Sequence, residues 1–365
     1  MSLQCGIVGL PNVGKSTLFN CLSNAHALAA NYPFATIEPN VGVVNIPDDR
    51  LFELERLVKP QRVVPTTVEI VDIAGLVAGA SKGEGLGNQF LSNIRSTDAI
   101  VHVIRCFEDD NVVHVNGSIN PVRDKEIIDI ELQLKDIESV EKKIAKLEKL
   151  LKSNDKEAKL GIEVLQVYLN HLGKGNSART APVEEEDKRF IKDIDLLTAK
   201  PVLYVCNVDE SAAANGNAYT RALQEAVANE NAEVLIICAA MEADIAELET
   251  YDERMMFLND LGLSEPGISK LIKSSYRLLD LITYFTAGEK EVRAWTITKG
   301  TKAPQAAGVI HSDFERGFIR AEVIAFNDFV HYGSEAAARA AGKLNVEGKE
   351  YIVQDGDIMH FRFNV

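Results

Sequence analysis

The sequence predicts an α/β fold: a mainly parallel sheet with helices on both faces, a helical hairpin inserted into it, and a small β-rich domain at the end of the chain. Three observations carry this. Short apolar runs recur at Cys5 to Leu10, Val41 to Ile46, Val68 to Ile73, Ala99 to Ile104, Val202 to Cys206 and Val234 to Cys238. Their alternation with helical stretches stops after Arg105 and resumes at Pro201. From about Asp280 the texture changes to short β-branched segments separated by turn residues.

The runs are continuous rather than alternating, which is how a strand covered on both faces reads. Helical stretches such as Lys15 to Leu22 and Tyr219 to Asn229 fall between them, giving a doubly wound pattern. Inside the gap, Ile127, Ile130, Leu134, Ile137 and Ile144 follow 3 and 4 spacing, with Lys142, Lys143, Lys146, Lys149 and Lys152 on or beside the polar face. This predicts one arm of a coiled-coil hairpin, with Ala158 to Leu172 as the other. Such an arm is either self-packed with a solvated charged face or a surface for a protein partner. The last segment reads as strands at Val292 to Ile297, Phe318 to Ile324, Tyr351 to Val353 and Ile358 to Phe363. The predicted division is therefore 1–120 with 200–279, an insertion at 121–199, and a terminal domain at 280–365.

The net charge of −15 over 365 residues disfavours general affinity for phosphate backbones or anionic membranes. Residues 201–280 hold 14 Asp/Glu against 5 Lys/Arg, so the hairpin and the terminal domain have room for local basic patches. No run is long enough to span a bilayer, and the N-terminus lacks the basic start of a secretory signal. Five cysteines without a CxxC pair read as buried reduced thiols, and the expected compartment is the cytosol.

Chemistry concentrates in Gly-Leu-Pro-Asn-Val-Gly-Lys-Ser at residues 9–16, a GxxxxGK[ST] loop between a predicted strand and a helix. Backbone N–H groups from Asn12, Val13 and Gly14 into the helix start at Lys15, Ser16 and Thr17 would converge on nucleotide phosphates. Lys15 would reach the β and γ oxygens, and the Ser16 hydroxyl would ligate Mg²⁺. Thr36 is placed to complete the metal shell when a γ-phosphate is present, and Asp72 would hold the metal through water. Gly75 would meet the γ-phosphate, and Gly79, Gly83, Gly85 and Gly87 follow it in a stretch suited to rearrangement on hydrolysis. Leu76 stands where a Ras-like enzyme has its water-orienting glutamine, so catalysis needs another group. Asn12 could support a monovalent cation beside the phosphates. His114, which is either a plain loop residue or the group that positions water, is the second candidate.

Base recognition is expected at Asn207-Val-Asp-Glu210, where a GTPase would carry Asn-Lys-x-Asp. An aspartate reads guanine through its N1 and N2 donors, and Glu210 replaces it with one more methylene, while an Asn207 amide suits adenine N6 and N7. ATP is favoured. The alternative, that Glu210 still accepts from guanine over a shifted backbone, stays open.

Together these residues resemble the YchF/Obg-like ATPase family, a branch of the translation-factor class of P-loop GTPases, over essentially the whole chain. The specific marks are residues 9–17, Asp72 to Val77 with Gly79 to Phe90, and Asn207 to Glu210. Residues Ala307 to Arg320 look like part of a TGS domain, a ubiquitin-like β-grasp module. The resemblance implies an inserted coiled-coil hairpin, ATP preference, potassium stimulation through Asn12, catalysis by His114, an adenine contact from the Val208 backbone, and association with ribosomes. Two rival expectations are a GTPase and a nucleotide-gated RNA-binding protein with incidental hydrolysis.

Overall fold

The computed structural model describes residues 3–24, 41–73, 86–114, 117–151, 155–248 and 250–364. In chain order it begins with β1 (Gln4–Val8), α1 (Lys15–Asn24), β2 (Val41–Asn45), α2 (Asp49–Val58), β3 (Val63–Val64), β4 (Thr67–Asp72), α3 (Leu86–Ser96) and β5 (Ala99–Arg105). There follow α4 (Pro121–Leu151), α5 (Lys156–Leu172), β6 (Val202–Asn207), α6 (Ala218–Ala226), β7 (Glu233–Ile237), α7 (Ala239–Glu247), α8 (Tyr251–Asp260) and α9 (Gly267–Leu278). The chain closes with β8 (Leu281–Ala287), β9 (Val292–Thr298), α10 (Ala303–Ile310), α11 (Ser312–Arg316), β10 (Phe318–Ala325), α12 (Phe326–Tyr332), α13 (Glu335–Ala340), β11 (Asn345–Glu347) and β12 (Asp357–Phe363).

The first sheet has the order β2-β4-β1-β5-β6-β7, and the pairs from β4 through β7 are all parallel. Every residue of β5 and β6 is buried, as interior strands of a helix-covered parallel sheet must be. The second sheet has the order β11-β10-β12-β8-β9-β3, with β12 and β8 parallel at its centre and antiparallel β10 and β9 outside them. This is a β-grasp arrangement, and small residues Ala303, Ala306 and Ala307 let α10 pack closely on Tyr284, Phe318 and Phe361. Tyr284 keeps its buried hydroxyl satisfied by donating to the Ala306 carbonyl at 2.9 Å.

The described residues form two compact units, one drawn from 3–24, 41–42 and 69–271, the other from 43–68 and 272–364. Residues 43–68 therefore depart from the division expected at 1–120. β3 pairs with β9 in the second sheet, and Leu51 and Leu54 of α2 join a core with Phe285, Val292 and Phe329. A two-residue strand carries no periodic signal of which sheet it will join. Residues 121–199 fall inside the first unit rather than apart from it. Tyr351 to Val353 makes only an isolated bridge between Ile352 and Lys302, whereas β8 is a strand the turn pattern did not reveal.

The hairpin core gathers Val140, Leu165, Tyr168, Leu172 and Phe190, with Ile137 and Ile144 packed against it. Ile130 and Leu134, read as part of the seam, are instead 52% and 47% exposed. The first half of α4 turns polar residues inward: Asp136 accepts from Leu197 N at 2.7 Å, Thr198 N at 2.8 Å and Thr198 Oγ1 at 2.7 Å, and Gln133 donates to Gly175 O at 3.0 Å. The buried face here mixes these polar groups with Ile128 and Leu132, and a count of apolar spacing cannot see the polar share.

The foot of α4 is bound to the sheet by a buried charged network. Lys125 Nζ lies 2.6 Å from both Asp129 and Glu230, Arg179 meets Glu230 at 2.9 Å, and the Tyr204 hydroxyl donates to Glu230 at 2.8 Å. His102 of β5 packs against Tyr204 with ring centroids 5.6 Å apart. Burial, reinforced by Lys125 and Arg179, pushes His102 from 6.5 down to about 3. The unfolded chain thus takes up a proton near 6.5 that the folded chain refuses, so this stability is complete above pH 6.5 and declines as pH falls toward 3. Urea titrations at pH 6.5 and 5 should differ by on the order of 2 kcal/mol, and His102→Phe should remove most of that difference.

Candidate nucleotide site

The loop after β1 reaches the first turn of α1 through two left-handed positions, Asn12 with φ 61° and Gly14 with φ 94°. A Cβ at Gly14 would fall 2.2 Å from Asn207 Nδ2, and one at Gly9 2.4 Å from Val103 O, so both sites need glycine for close approach. Ser16 and Thr17 are exposed at the helix start. Lys15 is buried, its ammonium donating to Leu10 O at 2.9 Å. Burial lowers the Lys15 pKa and raises that of Asp72, and each partly offsets the other's shift through their mutual attraction.

Asp72 ends β4 beside Ile7 of β1, so adjacent parallel strands deliver the carboxylate and the phosphate loop to the same edge. Its Oδ1 is buried without a hydrogen-bond partner among the described residues. An orphaned buried carboxylate oxygen and the exposed Ser16 hydroxyl are hard oxygen donors that fit Mg²⁺. Among the described residues no three His, Cys, Asp or Glu side chains are grouped to hold a metal unaided. An ion here would lean on phosphate and water oxygens, as Mg²⁺ does. Thr36, Gly75 and Leu76 lie outside the described residues.

The structure redirects Asn207. Its Nδ2 donates to Val13 O at 2.9 Å and its Oδ1 accepts from Ala239 N at 2.9 Å. The amide read as an adenine contact therefore braces the phosphate loop against the start of α7. Val208 is buried, and its N–H is used by Ile237 O at 2.9 Å. Asp209 accepts from Ala212 N at 3.1 Å and caps a short turn, leaving Glu210 exposed at its start.

Asn12 Nδ2 donates to Val113 O at 3.2 Å, which uses the amide's donor and not the oxygen a cation would take. The neighbouring His114 is 7% exposed, with Nε2 2.8 Å from Asp124 Oδ2. Two residues that motif reading did not single out hold this segment. The buried Arg105 guanidinium donates to Phe107 O at 3.1 Å, Val112 O at 2.8 Å and Asp109 O at 3.2 Å. A charged side chain ending a mostly apolar strand was the available signal, because a buried charge needs hydrogen-bonding partners. Asp124 gave no such signal, since an acid in a helix's first turn is ordinary.

A family model described as 50S ribosome-binding GTPase matches residues 4–163, and a YchF GTPase C-terminal model, described as a protein of unknown function, matches residues 281–364. The chain is 56% identical to the Ribosome-binding ATPase YchF of Bacillus subtilis and 55% identical to that of Shigella flexneri, in each case over 100% of both chains. Its fold is similar to that of the solved Schizosaccharomyces pombe YchF GTPase, with a TM-score of 0.89 and 39% identity, covering 99% of this chain and 98% of that one. If Asn207 is a brace, Asn207→Ala should lower unfolding free energy by about 2–4 kcal/mol for two lost buried hydrogen bonds. It should also weaken ATP and GTP by the same factor, whereas loss of a base contact would change their ratio in parallel titrations.

Proposed function

The chain belongs to the YchF family, and on that premise we propose that it is a Mg²⁺-dependent nucleotide triphosphatase that hydrolyses ATP in preference to GTP and acts as a slow switch on ribosomes. The observation that carries the reading is the unpartnered, buried Asp72 oxygen facing the Lys15 charge beside an exposed Ser16 hydroxyl. Ser16 and Asp72 would hold the metal, with Thr36 assigned to the same shell on sequence order alone. Bound there, the ion would neutralise charge on the phosphates. Lys15 would pair with the β and γ oxygens, the N–H groups from Asn12 to Thr17 would orient them, and Gly75 would meet the γ-phosphate. With Leu76 unable to orient water, His114 takes that role, and Asn12 supports potassium.

The preference for ATP rests on Glu210 in place of aspartate and on the Val208 backbone. With its N–H engaged by Ile237, Val208 would read a base through its carbonyl, which suits the adenine N6 donor and not the guanine O6 acceptor. No helix among the described residues is long and apolar enough to cross a membrane, in keeping with a cytoplasmic, ribosome-associated role.

One observation favours a second reading, nucleotide-gated RNA binding. A groove of about 650 Å³ beside α3 and α4 is lined by Arg95, Lys135, Lys142, Lys143 and Lys146 with Asp193. Phosphate contacts there would make RNA affinity fall steeply with salt, and a flat salt profile would remove this reading.

Labelled ATP and GTP titrations should give the tighter constant for ATP, and a GTP affinity ten-fold better would overturn the preference. Lys15→Ala should lose binding of both nucleotides. His114→Ala should slow turnover by roughly a hundred-fold or more with little change in ATP affinity, because it acts on water rather than on bound phosphate.

A further inference from the structure

We propose that Asp124 is a positioning residue for His114, so that the foot of the helical arm is part of the hydrolytic site. The inference rests on the reading of His114 as the group that acts on water. Asp124 lies in the first turn of α4 and is 3% exposed, so its carboxylate meets the imidazole out of solvent. An ionised carboxylate only accepts hydrogen bonds, so a neutral ring facing it at 2.8 Å carries its hydrogen on Nε2 and its lone pair on Nδ1. Asp124 thereby selects one tautomer and one ring orientation.

The carboxylate is itself held. Arg123 Nε and Nη2 donate to Asp124 Oδ1 at 3.1 and 2.9 Å, and Asp124 N donates to Asn120 O at 3.0 Å. The next residue, Lys125, is locked to Asp129 and Glu230, which ties this turn of α4 to the sheet. On the other side, Val113 O accepts from Asn12 in the phosphate loop. A continuous set of bonds therefore runs from the loop through residues 113 and 114 to the start of the arm. Displacement of that first turn would move the ring, while Lys15 and Ser16, which would bind the phosphates and the metal, belong to a different element and stay in place. The expected signature is a loss in kcat without a loss in KM.

The experiment is steady-state ATP turnover of the full chain for Asp124→Asn, Asp124→Glu, His114→Ala and the two double variants, with urea midpoints as a folding control. Asp124→Asn should lower kcat by at least roughly ten-fold with KM for ATP little changed, and Asp124→Glu should retain more activity. In the His114→Ala background neither change should lower kcat further, because there is no ring left to orient. Losses that multiply, or an unchanged kcat in Asp124→Asn beside a slowed His114→Ala, would overturn this inference alone. An unchanged kcat in His114→Ala would overturn the reading of His114 and this inference with it. Should Asp124→Asn fail to fold, the cycle built on Asp124→Glu decides the matter by the same criterion.

Discussion

The candidate nucleotide site depends on one buried amide. Asn207 sits at the end of an interior strand and uses its donor on the Val13 carbonyl and its acceptor on the Ala239 amide, so three segments distant in sequence are pinned at one point. The approach is close enough that residue 14 must be glycine, and its left-handed φ favours glycine independently of that crowding. With the loop held, the exposed Ser16 hydroxyl and the buried Asp72 oxygen can converge from neighbouring elements. The loop's shape is thus a tertiary property as well as a motif.

Around this point the first unit spends its buried charge on joints. Arg105 holds the segment that carries Val113 and His114, Asp136 secures residues 197 and 198, and Lys125, Glu230 and Arg179 fasten the foot of α4. Each charge is hydrogen-bonded, Arg105 and Asp136 to neutral groups and Lys125, Glu230 and Arg179 to one another, because a buried charge left without partners would cost several kcal/mol. Such joints are directional, and they determine where loops and helix ends sit in a way that apolar packing alone does not.

Much of this was legible in advance. The apolar runs that became β1, β5 and β6 were readable because interior strands of a covered parallel sheet have no polar face to interrupt them, while β2 and β7 lie at the sheet's edges and are only partly buried. The phosphate loop was readable because its glycines, lysine and hydroxyl are contiguous. The inner face of α4 was not, since Ile130 and Leu134 obey helical spacing yet point outward while Gln133 and Asp136 are buried. Nor was the membership of residues 43–68 in the second unit, which a short strand pairing with β9 decides.

The sequence by itself determined the class of chemistry, the succession along the chain of strands and helices that build the parallel sheet, and the glycine, lysine and hydroxyl residue types of the loop after β1, because each is written in local spacing. Only the tertiary structure decided what the polar side chains do. Asn207 has the chemistry to read a base and is drawn into bracing the loop, and His114 stands alone in sequence but meets Asp124. A polar group's role depends on which partner long-range packing brings within about 3 Å of it, and no local pattern encodes that distance.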